Sequence, residues 1–250
     1  MILLSDHAVS PASSEFARTL SNNASGANAR LPIKASPPSQ GRLLYSKGMH
    51  DVTGFITAGG RSSRMGIDKA WLEIGGQPII ERIIQALRTV TPTIGIIANT
   101  DAYFNLDLPV FADSVQGVGP LEAIRTALSN TSTDRVLLVG CDLPFVTPEL
   151  FTFLLSVASH RDTVVPLDAY NRLEPLCAIY CKDSLNIVSD LIESGERKVA
   201  RLFDLVPTYF VAFDQIRRLE GSHLFFENIN TPEDYQRALQ AALRLSRSPG

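Results

Sequence analysis

The sequence predicts an α/β fold: a mostly parallel sheet with helices on both faces. Three observations lead to it. Short continuous apolar runs, such as VTGFIT, IGIIA and RVLLVG, read as strands buried on both faces. Longer segments with apolar residues at helical spacing alternate with them. Several of the strands run into glycine-rich or polar stretches, which is where an open α/β sheet holds its ligands.

In chain order, residues 52–57 form the first strand. Residues 77–90 read as a helix, because Ile79, Ile80, Ile83, Ile84 and Leu87 share one face and Pro92 ends the pattern. Residues 94–98 are a second strand and 109–113 a short third. Residues 119–130 are helical, with Pro120 in the first turn, where its missing N–H is not needed. Residues 135–140 are a fourth strand. Residues 147–159 open with a Thr-Pro-Glu cap and continue as a helix. Residues 163–167 and 175–180 read as strands, 182–194 and 198–205 as helices, 208–213 as a strand. Residues 230–246 are a terminal helix capped by Thr231-Pro-Glu-Asp.

Of the 250 residues, 45 % are hydrophobic and 20 % charged, enough to bury one full core. The net charge of −3 gives no global attraction to nucleic acid or to an anionic membrane. No apolar run approaches the ~18–20 residues of a membrane span. Three cysteines, Cys141, Cys177 and Cys181, do not make a disulfide framework. They read as buried apolar thiols in a reducing, cytoplasmic setting. Trp71 reads as a packing residue, His50 and His223 as surface residues, and the cationic stretch 195–202 as a solvated helix face or a group facing an acceptor phosphate.

Residues 1–48 differ from the rest. They are rich in Ser, Ala, Asn and Pro, and carry five cations against Asp6 and Glu15. A disordered tail, a transit peptide and an upstream extension of the reading frame all fit this composition. Met49 stands just before the first strand. The expected organisation is an extension over 1–48, one domain over 49–246 and a tail over 247–250.

Two stretches carry chemistry. After the first strand comes AGGRSSRMGIDK. Gly59 and Gly60 permit positive φ and close backbone approach, so successive N–H groups can cradle an anion. Arg61, Arg64 and Lys69 add positive charge, and Ser62 and Ser63 add hydroxyl donors. The loop is neither a Walker A sequence nor a G-x-G-x-x-G dinucleotide fingerprint. The second stretch is CDLPFV, residues 141–146. Asp142 falls just past an apolar strand, where a carboxylate alone reads as a cap or turn residue. Opposite a cationic phosphate loop, it suits Mg²⁺, a hard ion that prefers oxygen ligands.

These residues carry a resemblance. The chain from about residue 52 to 239 resembles the nucleotidyltransferases with a Rossmann-like fold, and within them the molybdenum cofactor guanylyltransferases. Their opening motif, L-A-G-G-x-S-x-R-M-G-x-D-K, is matched by TAGGRSSRMGIDK, with Thr57 in place of Leu. Asp113 followed by GVGPLEAI is similar to their D-x(3)-G-x-G-P-L-x-G-I, with Ala123 where glycine is common and expected to crowd the helix start. CDLPFV, EPLCAIY and ENINTPEDY match three further motifs in order.

The resemblance implies a three-layer Rossmann-like nucleotidyltransferase fold and a reaction: GTP plus molybdenum-molybdopterin gives molybdopterin guanine dinucleotide and pyrophosphate. It implies guanine contacts through the backbone of Thr57, Ala58 and Gly59, and nucleotide contacts from Lys69, Asn99 and Asp113. It makes Asp142 the Mg²⁺ ligand, Arg64, Lys69 and Asp142 the catalytic set, and puts Asn228 and Asn230 on the pterin side. GTP and molybdenum-molybdopterin are the implied partners, with room for molybdopterin-inserting or molybdoenzyme-specific chaperone proteins. Two other readings stay open: a related cytidylyl- or sugar-1-phosphate nucleotidylyltransferase, and a non-catalytic nucleotide or pterin carrier.

Overall fold

The computed structural model describes residues 51–59, 68–115, 117–157 and 162–245. The expected extension, the phosphate-loop residues 60–67 with Arg64, and the tail lie outside them.

A seven-stranded sheet forms the middle layer, in the order β5-β4-β1-β6-β8-β7-β9. Its strands are β1 (Val52–Thr57), β4 (Ile94–Ile97), β5 (Val110–Phe111), β6 (Arg135–Gly140), β7 (Thr163–Pro166), β8 (Cys177–Cys181) and β9 (Thr208–Val211). The neighbours β5-β4-β1-β6 are all parallel, as are β7 and β9. Strand β8 runs against both β6 and β7. The sheet is thus mostly parallel with one reversed strand, as an α/β reading allows.

Alternation along each strand builds the other two layers. On β6, Leu137 and Val139 join one core cluster while Val136 and Leu138 join the other; on β8, Cys177 and Ile179 oppose Ala178 and Tyr180 in the same way. One face is covered by α1 (Ile79–Arg88), α3 (Pro148–Ser156) and α7 (Pro232–Leu245), the other by α2 (Pro120–Ser129) and α4 (Leu185–Glu193). In α1, Ile79, Ile80, Ile83, Ile84 and Leu87 are all buried. Each contributes about 1.5–3 kcal/mol of transfer free energy before chain entropy is subtracted. Two short helices, α5 (Ala200–Phe203) and α6 (Phe213–Ile216), complete the chain.

The structure trims several expected elements. The expected helix 77–90 begins at Ile79, because Gln77–Pro78 (β3) pairs with Glu73–Ile74 (β2) across Gly75 and Gly76. Both glycines have positive φ, 63° and 79°, the backbone a two-residue hairpin turn demands. The expected helix 198–205 shrinks to the four residues of α5, and the strand 208–213 stops at Val211, since Phe213 opens α6. Thr147 accepts from the Leu150 N–H as an N-cap, 3.3 Å away. The three cysteines are buried. Trp71 stacks on Tyr103 with ring centroids 6.0 Å apart. Among the described residues, no helix is long and apolar enough to cross a membrane.

Candidate active site

The parallel register sets the site. Phe111, Ile97, Thr57 and Gly140 stand in one row across β5, β4, β1 and β6. Asp113, Asn99, Gly59 and Asp142 each lie two residues past that row. Four strands therefore deliver an acid, an amide, a glycine and a second acid to one edge of the sheet. That edge bounds a cavity of about 660 Å³, whose lining includes Thr57, Ala58, Gly59, Lys69, Asn99, Asp113, Asp142 and Asn230. Asn228 is not part of the lining; its amide donates to the Phe226 carbonyl, 3.3 Å away.

Backbone bonds hold the floor in place. The Cys141 N–H donates to the Thr57 carbonyl and the Ala58 N–H to the Ile97 carbonyl, both at 2.9 Å. The Gly59 N–H faces the Cys141 sulfur, and burial pushes that thiol up to about 12. It is an inert neutral wall at neutral pH. Gly59 itself has φ of 81°, a left-handed backbone suited to glycine.

At one end of the cavity stand Lys69 and Asp142. Lys69 belongs to a one-turn 3-10 helix, Lys69–Trp71, capped by Asp68. The Asp68 carboxylate accepts from the Ala70 N–H at 3.1 Å and from the buried Tyr103 hydroxyl. The Lys69 ammonium donates to Asn230 Oδ1 at 2.9 Å. Asp142 is fixed from two sides: its carbonyl accepts from the Ile229 N–H at 3.0 Å, and its turn is tethered by Arg82 Nε, which donates to the Pro144 carbonyl at 3.3 Å. Burial raises the Asp142 carboxyl above the usual range, and the nearby Lys69 charge draws it back.

The Asp142 side chain folds over Gly140. A Cβ on that glycine would lie 2.5 Å from Asp142 Oδ1. The absent side chain makes room for the carboxylate at the cavity wall. This fits a divalent cation held by one carboxylate, with phosphate oxygens and water completing the shell. Among the described residues no group of three or more His, Cys, Asp and Glu could hold a metal alone. A metal held here through Asp142 would take its remaining ligands from bound substrate or water.

Among the described residues, the other end of the lining carries no cation. Asn99 Oδ1 accepts from the Asp113 N–H at 2.9 Å, and Asp113 Oδ1 accepts from the Thr126 hydroxyl at 2.9 Å. Burial raises Asp113, while the Thr126 bond opposes the shift and the Glu122 charge adds to it. Glu122, at 1 % exposure, accepts from the Val115 N–H at 3.0 Å and pairs with Arg125 at 2.6 Å. Two carboxylates repel phosphate but attract the N–H edge of a base. The cavity is thus polar in one direction, with Lys69 and Asp142 at one end and amide and carboxylate acceptors at the other. Ala123 lies in the first turn of α2 and lines the cavity with Pro120 and Gly119.

Sequence reading passed over Asp68, Glu122 and Tyr103. Asp68 stands beside Lys69 in AGGRSSRMGIDK, and Glu122 lies in GPLEAI, so the sequence itself points to both. Tyr103 carries no signal, since its partner lies 35 residues away.

The model of the MobA-like NTP transferase domain matches residues 54–208. A probable molybdenum cofactor guanylyltransferase of Carboxydothermus hydrogenoformans is 35 % identical over 192 residues, covering 77 % of this chain and 97 % of its own. A molybdenum cofactor guanylyltransferase of Vibrio cholerae is 33 % identical over 188 residues, 74 % of this chain and 89 % of its own. The crystal structure of molybdopterin-guanine dinucleotide biosynthesis protein A from Archaeoglobus fulgidus superposes with a TM-score of 0.65 at 22 % identity, over 77 % of this chain and 99 % of that one. At that identity the likeness speaks for the fold.

Proposed function

Since the chain belongs to the MobA-like NTP transferase family, we propose that it transfers GMP from GTP to molybdenum-molybdopterin, yielding molybdopterin guanine dinucleotide and pyrophosphate. The observation that carries this reading is one cavity lined at the same end by Lys69 and Asp142.

In this reaction a terminal phosphate oxygen of the pterin attacks the α-phosphorus of GTP. A new P–O bond forms, the bond from the α-phosphorus to the bridging oxygen breaks, and pyrophosphate leaves with that electron pair. The nucleophile is already an anion, so no side chain has to remove a proton. What the chain supplies is position and charge. Lys69 holds the triphosphate with a mobile positive charge. Asp142 would hold Mg²⁺ against the phosphates. When bound, that ion offsets phosphate charge in ground and transition states. Arg64 of the loop would add a fork of donors to the same oxygens. Asn99 and Asp113 offer acceptors to the base. Guanine suits them because its Watson–Crick edge presents N1–H and N2–H₂ side by side. Thr57, Ala58 and Gly59 form the floor under the nucleoside.

The test is incubation with GTP, Mg²⁺ and molybdenum-loaded pterin, followed by mass analysis. The dinucleotide product and stoichiometric pyrophosphate are expected. Preference for CTP or UTP, or tight GTP binding with no pyrophosphate from this acceptor, would overturn the reading.

A further inference from the structure

The resemblance puts Asn228 and Asn230 together on the pterin side, but the two side chains part company in the structure. The Asn228 amide turns back on the Phe226 carbonyl, outside the cavity lining. Asn230 lines the cavity, and its Oδ1 takes a hydrogen bond from the Lys69 ammonium across 161 residues of sequence. We infer that Asn230 is a positioning residue for the nucleotide: it aims Lys69 at the triphosphate. The inference rests on the guanylyltransferase reading above and assigns one residue within it.

Three features make Asn230 suited to that task. Its backbone is pinned, because Asp234 Oδ2 accepts from the N–H groups of both Asn230 and Thr231 at 2.8 Å. Thr231 Oγ1 in turn accepts from the Asp234 N–H at 3.2 Å, closing the cap of α7. The adjoining Ile229 N–H is bonded to the Asp142 carbonyl. Residues 229 and 230 thus tie the proposed metal ligand to the proposed phosphate ligand through one rigid stretch.

The chemistry of the pair points the same way. An ammonium has three donors and no acceptor. One donor given to Asn230 leaves two for phosphate oxygens. A neutral amide orients the ammonium without cancelling its charge, whereas a carboxylate in its place would compete with the phosphate. A lysine side chain also has many rotamers, so holding it at its far end removes part of the ordering cost before the nucleotide arrives.

The test is a double-mutant cycle on GTP·Mg²⁺ affinity, measured by calorimetry with no pterin present. Asn230→Ala should weaken GTP about fivefold, the scale of one solvent-exposed hydrogen bond of ordinary net strength. In a Lys69→Ala background, the same substitution should change affinity by less than about twofold, because its effect runs through Lys69. Asn230→Ser, too short to reach Lys69 but at home before a helix cap, should repeat the loss. In turnover the loss should fall on the KM for GTP and leave the KM for the pterin unchanged. Wild-type GTP affinity in Asn230→Ala, or penalties that multiply in the double variant, would overturn the inference and return Asn230 to the acceptor side. A wild-type chain that binds no GTP at all would be a different result: it removes the guanylyltransferase reading itself.

Discussion

The two halves of the sheet meet the cavity in different ways. In the half made of β5, β4, β1 and β6, all strands run the same way and present their carboxyl ends in register. Each supplies a residue two positions past a common row, so the geometry of Asp113, Asn99, Gly59 and Asp142 follows from the ladder. In the other half, β8 enters the site by its amino end, and among the described residues of these strands and their flanks Leu176, just before β8, reaches the cavity lining. There the fixed groups come from loops, such as residues 229–230. The parallel half is a rigid frame for one ligand. The reversed half contributes to the cavity lining through Leu176 and, from a loop, Asn230.

That contrast can be attacked directly, beginning where the largest effect is expected. Lys69→Ala and Asp142→Ala should each lower pyrophosphate release by about 10²–10³, the usual cost of removing one preorganised electrostatic group. Full activity in either would break the frame. Gly140→Ala is subtler, since it removes no functional group. The new methyl occupies the space of Asp142 Oδ1 and turns the carboxylate aside. Turnover should fall about 10–100-fold, as misplacement of a ligating group does, with the thermal midpoint little changed. Tyr103→Phe should cost about 1–2 kcal/mol in urea unfolding, because the Asp68 carboxylate loses a buried donor. The KM for GTP should rise with it, since Asp68 caps the turn that carries Lys69.

In the reversed half the expected effect falls on stability and not on turnover. Burial, aided by the charges of Asp168 and Asp142, pushes the Glu174 carboxyl from the usual 4.5 up to about 7, against the pull of Arg172. A carboxyl that holds its proton more tightly when folded adds stability at low pH. That contribution is full below 4.5 and is lost as pH rises through about 7. Glu174→Gln should therefore flatten the dependence of the thermal midpoint on pH across that window. An unchanged slope would mean that Glu174 does not sit in the electrostatic field described here.

Much of the parallel half was legible in the sequence because period and function coincide there. Continuous apolar runs marked buried strands, and several ended in polar or glycine-rich stretches at the edge where an open α/β sheet holds its ligand. The reversed strand was not legible as reversed: EPLCAIY has the same apolar run in either direction. Nor was the β2–β3 hairpin, because Gln77 and Pro78 sit directly before a strong helical period that absorbs them. The separation of Asn228 from Asn230 was hidden as well. Two asparagines two positions apart look alike in a motif, and the cap of α7 fixes the backbone of the one that lines the cavity. Tyr103 was beyond reach for the same reason, since a single side chain in a 3-10 turn has no periodicity to announce its partner.

In the proposed reaction Lys69 and Asp142 hold one triphosphate between them. The most direct measurement is a crystal structure with Mg²⁺ and a GTP analogue whose α,β-bridging oxygen is a methylene. The expected result puts the Lys69 ammonium on a phosphate oxygen and an Asp142 oxygen about 2.1 Å from the ion that binds the same phosphates. A triphosphate seated elsewhere, with either side chain turned away from it, would contradict the account.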